Sequence, residues 1–192
     1  MGIASRDTLR DWLRAPGSLS RRLAQLGQKF EVQVLRQGTT PLRAPELQAL
    51  GLPRHGCTFV REVILRVDGQ PLVWARSSLH ATALAGPWRA LKGLGSKPLA
   101  NLLYADPRVK RSELSPKRIA RHGHTRRQMQ RQWLAATGSL PSAQMLWSRN
   151  SVFRRGGAEL RVMELFVPDL ARHSPKHRGG SLRVRPGAGP KL

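Results

Sequence analysis

Two charged side chains stand where charge is expensive. Arg61 shares an alternating row with Phe59, Val63, Leu65 and Val67, and Glu164 shares one with Leu160, Val162 and Phe166. Side chains two apart on a strand point to one face, so each charge falls on an apolar surface. A guanidinium in such a place can grip a carboxylate through two parallel N–H donors. A carboxyl group there is partly desolvated, which raises its pKa toward the range useful for proton transfer. Each also has a plainer reading: Arg61 can snorkel to an edge, and Glu164 can be half of a structural ion pair.

Each row must be carried by one arm of a hairpin. Asp68-Gly69 separates TFVREVILRV from QPLVWARSSL, and Gly156-Gly157 separates Met145–Arg155 from Ala158–Val167. Both dipeptides accommodate the positive φ angles of a two-residue turn. Counting back from Val67 opposite Gln70 sets Arg61 opposite Arg76. Adjacent guanidiniums repel unless an anion lies between them, so Arg76 becomes a second candidate for an anion site unless the register slips. The same count from the second turn sets Arg149 opposite Glu164.

Around the hairpins, Thr8–Arg14 reads as a short helix, and Ser18 as the cap of another whose stripe is Leu19, Leu23 and Leu26. Lys29–Arg36 alternates as a half-buried strand, followed by a loop from Gly38 to Pro45 and a short helix from Pro45 through Leu50. Trp88–Leu94 reads as a helix broken at Gly95, and Ser96 as the cap of one containing Leu99, Leu102, Leu103 and Tyr104. Arg108–Leu114 reads as a short strand, Ser115-Pro116 as a helix start, and Thr125 as the cap of a helix containing Met129, Trp133 and Leu134.

The chain of 192 residues carries a formal charge of +23 and is 40% hydrophobic, enough for one domain with a sizeable core. Such charge points to anionic partners, nucleic acid first among them. Its distribution argues otherwise. Arg108–Arg131 holds nine Lys/Arg against one Glu and Ala171–Leu192 holds six against no acid, leaving +9 on the rest. One Tyr and four Phe offer little base stacking, and no nucleic-acid motif is present. The single cysteine, Cys57, excludes an internal disulfide and reads as a small buried hydrophobe in a reducing compartment. Neither His55 beside it nor the pair His122 and His124 has the further ligands of a metal site. No membrane-spanning run or signal-peptide core is evident, and a cytoplasmic protein is expected.

Three segments then carry a resemblance. VREVILRVDGQPLVWARSSL (Val60–Leu79), AGPWRALKGLGSKPLANLLY (Ala85–Tyr104) and LWSRNSVFRRGGAELRVMELFVPDL (Leu146–Leu170) follow in the order and spacing of chorismate lyase, a family of ubiquinone biosynthesis. The chain resembles that family from Leu9 to Leu170. The resemblance implies an α+β single domain over residues 1–170: an antiparallel sheet with helices on one side and helix-turn-helix flaps over a buried ligand pocket. It implies chorismate as substrate, 4-hydroxybenzoate and pyruvate as products, and no cofactor or metal. The family's binding arginine falls on Arg61 and its catalytic glutamate on Glu164. Two further contacts, made through main-chain groups, fall on Leu19 and Leu99, with Leu19 standing where relatives commonly carry Met.

Residues 119–143 look like a basic insertion in the family pattern, expected to extend a flap or form a mobile appendage. The tail 171–192 is expected to be disordered. A monomer without specific nucleic-acid binding is expected. The same fold serves as the ligand-sensing domain of some transcription regulators, so a non-catalytic sensor is the rival reading. A glutamate at the catalytic position and no separate DNA-binding domain before Lys29 favour the lyase. A basic nucleic-acid-binding protein is the third reading.

Overall fold

In the computed structural model, which describes residues 6–41, 57–141, 146–173 and 175, helices α1 (Arg6–Arg14) and α2 (Leu19–Leu23) precede strand β1 (Phe30–Pro41). The first hairpin is β2 (Cys57–Val67) and β3 (Gln70–His80). Two 3-10 turns, Ala81–Ala85 and Arg89–Gly93, lead to α3 (Leu99–Leu103), β4 (Lys110–Arg111), β5 (Ser115–Ile119) and α4 (His124–Thr137). The second hairpin is β6 (Leu146–Arg155) and β7 (Ala158–Phe166), closed by a 3-10 turn at Pro168–Arg172. The strands form one antiparallel sheet in the order β1-β2-β3-β7-β6-β4, with β5 also on β6. This is the expected α+β architecture.

Both turns have the expected geometry. Asp68 and Gly69 have φ of 48° and 80°, and Gly156 and Gly157 have 51° and 75°, the doubly positive pattern that matches strand twist. In the second hairpin the count holds, and Arg149 faces Glu164. In the first it does not. Arg66 pairs with Pro71 but Leu65 with Val73, so Leu72 is an extra residue. Pro71 has no N–H to give to a ladder, and strand prolines are confined to edges, strand starts and bulges. Beyond the bulge Arg61 faces Ser77, and Arg76 faces Glu62 on the other side of the sheet. The expected anion site between Arg61 and Arg76 is therefore not formed.

Arg76 belongs to a buried polar cluster on the reverse face, ion-paired with Glu62. Gln132 Nε2 donates to Glu62 Oε2 at 2.5 Å, Gln128 donates to Oε1, and Trp74 Nε1 donates to Gln132 Oε1 at 2.8 Å. These glutamines come from α4, whose Met129 and Trp133 pack with Ile64, Trp74 and Leu165. Burying side chains of this size contributes about 1.5–3 kcal/mol each. The basic segment expected as a flap extension or mobile appendage thus supplies the cover of the reverse face, while the other helices gather on the opposite side.

Other expectations change with non-local pairing. The loop expected from Gly38 is strand through Pro41, because β2 extends to Cys57 opposite it. Ser115–Ile119 is an edge strand on β6 and not a helix start, and α4 has Gly123 in its cap position, two residues before the expected cap Thr125. Trp88–Leu94 holds a 3-10 turn, and the α3 cap position is Pro98, not Ser96. Cys57 is exposed, not buried. The helix expected from Pro45 through Leu50 lies outside the described residues. Among the described residues there is no cluster of three potential metal ligands, and no helix is long and apolar enough to cross a membrane.

The expected tail also begins too early. Ala171 is buried, Trp12 Nε1 donates to the His173 carbonyl at 2.6 Å, and Arg22 Nη1 donates to the Pro175 carbonyl at 3.0 Å. Residues 176–192 lie outside the described residues. Deleting Ala171–Leu192 strands two buried donors at about 1–3 kcal/mol each, so a lower Tm is expected. A chain ended after Pro175 should melt as the full chain does, and differential scanning calorimetry of both truncations checks this.

Candidate active site

The sheet face opposite α4 forms the floor of a pocket enclosing about 530 Å³, its open mouth included. Val32, Val63, Leu65, Ala75 and Val162 line the floor, and the roof is the start of α2 with α3. Ser18 shapes the first edge of that roof: its Oγ accepts the Arg21 N–H at 3.2 Å and opens α2 at the buried Leu19. Pro98 and Leu99 open α3 across from it. Leu19, Leu99, Arg61 and Glu164 all line this one pocket, and Arg76 does not.

Arg61 rises from β2, 2% exposed. Its Nη2 donates to the carbonyls of Gly95 at 2.8 Å and Lys97 at 3.1 Å, which ties the floor to the approach of α3. Gly95 has φ of 54°, a conformation glycine adopts without a side-chain clash. Glu164 lies on β7, two strands away. Its Oε2 accepts Arg149 Nε at 2.5 Å, and the side chains are 13% and 1% exposed. Arg149 Nη1 also donates to the carbonyls of Ala15 at 2.8 Å and Trp12 at 3.3 Å, so the acid and the α1–α2 connection share one anchor. Its guanidinium lies 5.8 Å from the centre of the Phe166 ring.

A third arginine escaped the sequence reading. Arg111 on β4 pairs with Phe153 and lies 5.2 Å over its ring. Its Nη1 donates to the Gly17 carbonyl at 2.9 Å and Tyr104 Oη at 3.0 Å. In the sequence it is one of nine cations between Arg108 and Arg131, within the short strand expected over Arg108–Leu114. Its only distinguishing signal is the pairing with β6, which no local pattern reveals.

The three arginines leave a consistent deficit. Arg61 Nε, Arg111 Nε and Arg149 Nη2 are buried without a partner among the described residues. Burial pulls the Arg61 pKa below its usual value. For Arg111 burial is the main cause of the same shift, with Arg149 adding to it against Tyr104 and Glu164. Burial pushes the Tyr104 hydroxyl up, and Arg111 opposes it. Guanidiniums stay charged under these pulls. A partly enclosed pocket with surplus positive charge and unmet donors is suited to a small polyanion with an apolar body.

The family model for chorismate lyase matches residues 4–174. The chain is 44% identical over 164 residues to the "probable chorismate pyruvate-lyase" of Albidiferax ferrireducens, covering 85% of this chain and 82% of that protein. It is 42% identical over 163 residues to the protein of the same name from Azoarcus sp., covering 84% and 85%. Among solved structures it is similar to PhnF from Mycobacterium smegmatis, with a TM-score of 0.58 at 14% identity over 81% of this chain and 65% of that one. That last likeness concerns the fold alone. On the family match and the identity across most of both chains, this protein belongs to the chorismate lyase family.

Proposed function

We propose that the protein converts chorismate to 4-hydroxybenzoate and pyruvate, the step that commits carbon to ubiquinone. The observation that carries this reading is the placement of Arg61 and Glu164 on one apolar floor, two strands apart, in a chain of this family. In the reaction the C3–O bond of chorismate breaks, C4 loses its hydrogen, and the ring becomes aromatic. The departing enolpyruvate takes up a proton to become pyruvate. Aromatisation supplies driving force, so positioning and proton handling suffice and no cofactor is called for.

Arg61 holds the ring carboxylate, which meets its unpartnered Nε–H and offsets a buried charge. Main-chain N–H groups at Leu19 and Leu99, in the first turns of their helices, have no partner within the helix and complete the cradle from the roof. Glu164, held in an ion pair, is an acceptor. This favours its action as the base that takes the C4 proton. Arg149 Nη2, unpartnered beside it, steadies the negative charge that develops on the leaving oxygen.

Purified protein incubated with chorismate should release 4-hydroxybenzoate and pyruvate in equal amounts, followed by absorbance and a lactate dehydrogenase couple. No release from folded protein would overturn the reading and leave a sensor of the same fold. Arg61→Ala should weaken binding of both chorismate and 4-hydroxybenzoate by at least about 1.5 kcal/mol, more than tenfold. Arg61→Lys should recover only part, since a point charge lacks the planar fork. Calorimetric titration of the three proteins checks this, and unchanged affinity in the alanine variant would remove Arg61 from the site.

A further inference from the structure

The charges of the pocket form a pattern across the sheet. Arg61 on β2 and Arg111 on β4 lie on opposite sides of Glu164 on β7, each two strands from it. At about 4.8 Å per strand, that is about 10 Å of sheet on either side. All three residues line the same pocket. Arg149, the remaining guanidinium, is matched by Glu164. Neither Arg61 nor Arg111 has an ion-pair partner among the described residues, and each has a buried N–H without an acceptor. Two positive charges are therefore left over, one at each end of the floor, with an acid between them.

Chorismate is a dianion whose two carboxylates are separated by the bond that breaks. One is on the ring, and the other is on the enolpyruvyl arm that leaves from C3. We infer that Arg111 binds the enolpyruvyl carboxylate and thereby distinguishes the substrate from the aromatic product, which has lost that group. This rests on the lyase reading above and adds a residue which that reading does not require. The ring carboxylate goes to Arg61 and the reacting edge to Glu164, so the arm extends toward β6 and β4. There Arg111 presents its unpartnered Nε–H, held in orientation by the Phe153 ring and by Tyr104. Its bond to the Gly17 carbonyl reaches the residue before Ser18 and Leu19, so a carboxylate there also sits against the α2 side of the roof.

The assignment predicts a split that a general packing role would not produce. Titrations are made in a Glu164→Gln background, where chorismate persists, and compare Arg111 with Arg111→Ala and Arg111→Lys. Chorismate affinity should fall at least tenfold in the alanine variant, while 4-hydroxybenzoate affinity changes less than twofold. The lysine variant should lie between for chorismate, and it serves alone if the alanine variant fails to fold by thermal melt. In otherwise unaltered protein, Arg111→Lys should raise KM for chorismate with little change in the inhibition constant of 4-hydroxybenzoate. Equal weakening of both ligands, or of neither, would overturn the assignment. The lyase reading fails separately, if the unaltered protein releases no product from chorismate.

Discussion

Replacing Glu164 by Gln is expected to leave a folded protein that binds 4-hydroxybenzoate and turns over chorismate at least ~100-fold more slowly, the low end for general acid–base catalysis. Glutamine matches the acid in size and can still accept from Arg149 Nε, but it cannot take up a proton at neutral pH. The ion pair makes the competing expectation specific. If Glu164 served only to neutralise Arg149, which is 1% exposed, the variant would lose stability and keep its rate per folded molecule. Thermal melts beside single-turnover assays separate the two. Near-normal turnover in the glutamine variant would end the catalytic assignment. A lower Tm with the rate loss would show that the pair does both jobs.

On the reverse face the largest expected effect is on stability. Glu62 is fully buried and accepts from Arg76, Gln128 and Gln132. Glu62→Ala removes the carboxylate from a buried guanidinium and the shared acceptor from two amides. Breaking such a pair by deleting one partner costs about 3–5 kcal/mol, a large part of the 5–15 kcal/mol typical of a domain. A loss of that size, read as a lower urea midpoint with an unchanged slope, is expected. The double change Glu62→Met and Arg76→Met should restore part of the loss, since it removes the stranded guanidinium but leaves the two amides without their shared acceptor. A loss below about 1 kcal/mol in the alanine variant would mean that α4 is held mainly by the packing of Met129 and Trp133 and not by Glu62.

These two acids mark how far the sequence could be read. Glu164 and Arg149 are opposite one another, as counted from Gly156-Gly157, because β6 and β7 pair without a bulge. Glu62 and Arg76 were not paired by the same count from Asp68-Gly69, because Leu72 is extra. Pro71 was the available warning, since a proline two residues past a hairpin turn cannot fill a ladder position. Arg61 was legible because an arginine in an apolar row is rare. Arg111 was not, because its neighbours are cations too and its orientation is set by Phe153, far along the chain. Ser115–Ile119 has no alternation, and only β6 makes it a strand. What local pattern carries is turn chemistry and amphipathic rows; what it lacks is the edge pairing that brings β4 to the site and sets β5 on β6.

The seam between β3 and β7, from Val73 opposite Phe166 to Leu79 opposite Leu160, has a consequence for how the pocket comes into being. Arg61 belongs to one hairpin and Glu164 to the other, and this seam is the sheet contact that brings them to one floor. Hairpins close locally within about 1–10 μs, whereas the seam must close a loop that takes in much of the chain, a slower and entropically harder event. Binding competence therefore matures after most strands have formed. A ligand that touches both hairpins acts as a clasp across the last-made joint, and its binding energy adds to the cohesion of the folded chain, by about 2.7 kcal/mol at a hundredfold excess over Kd.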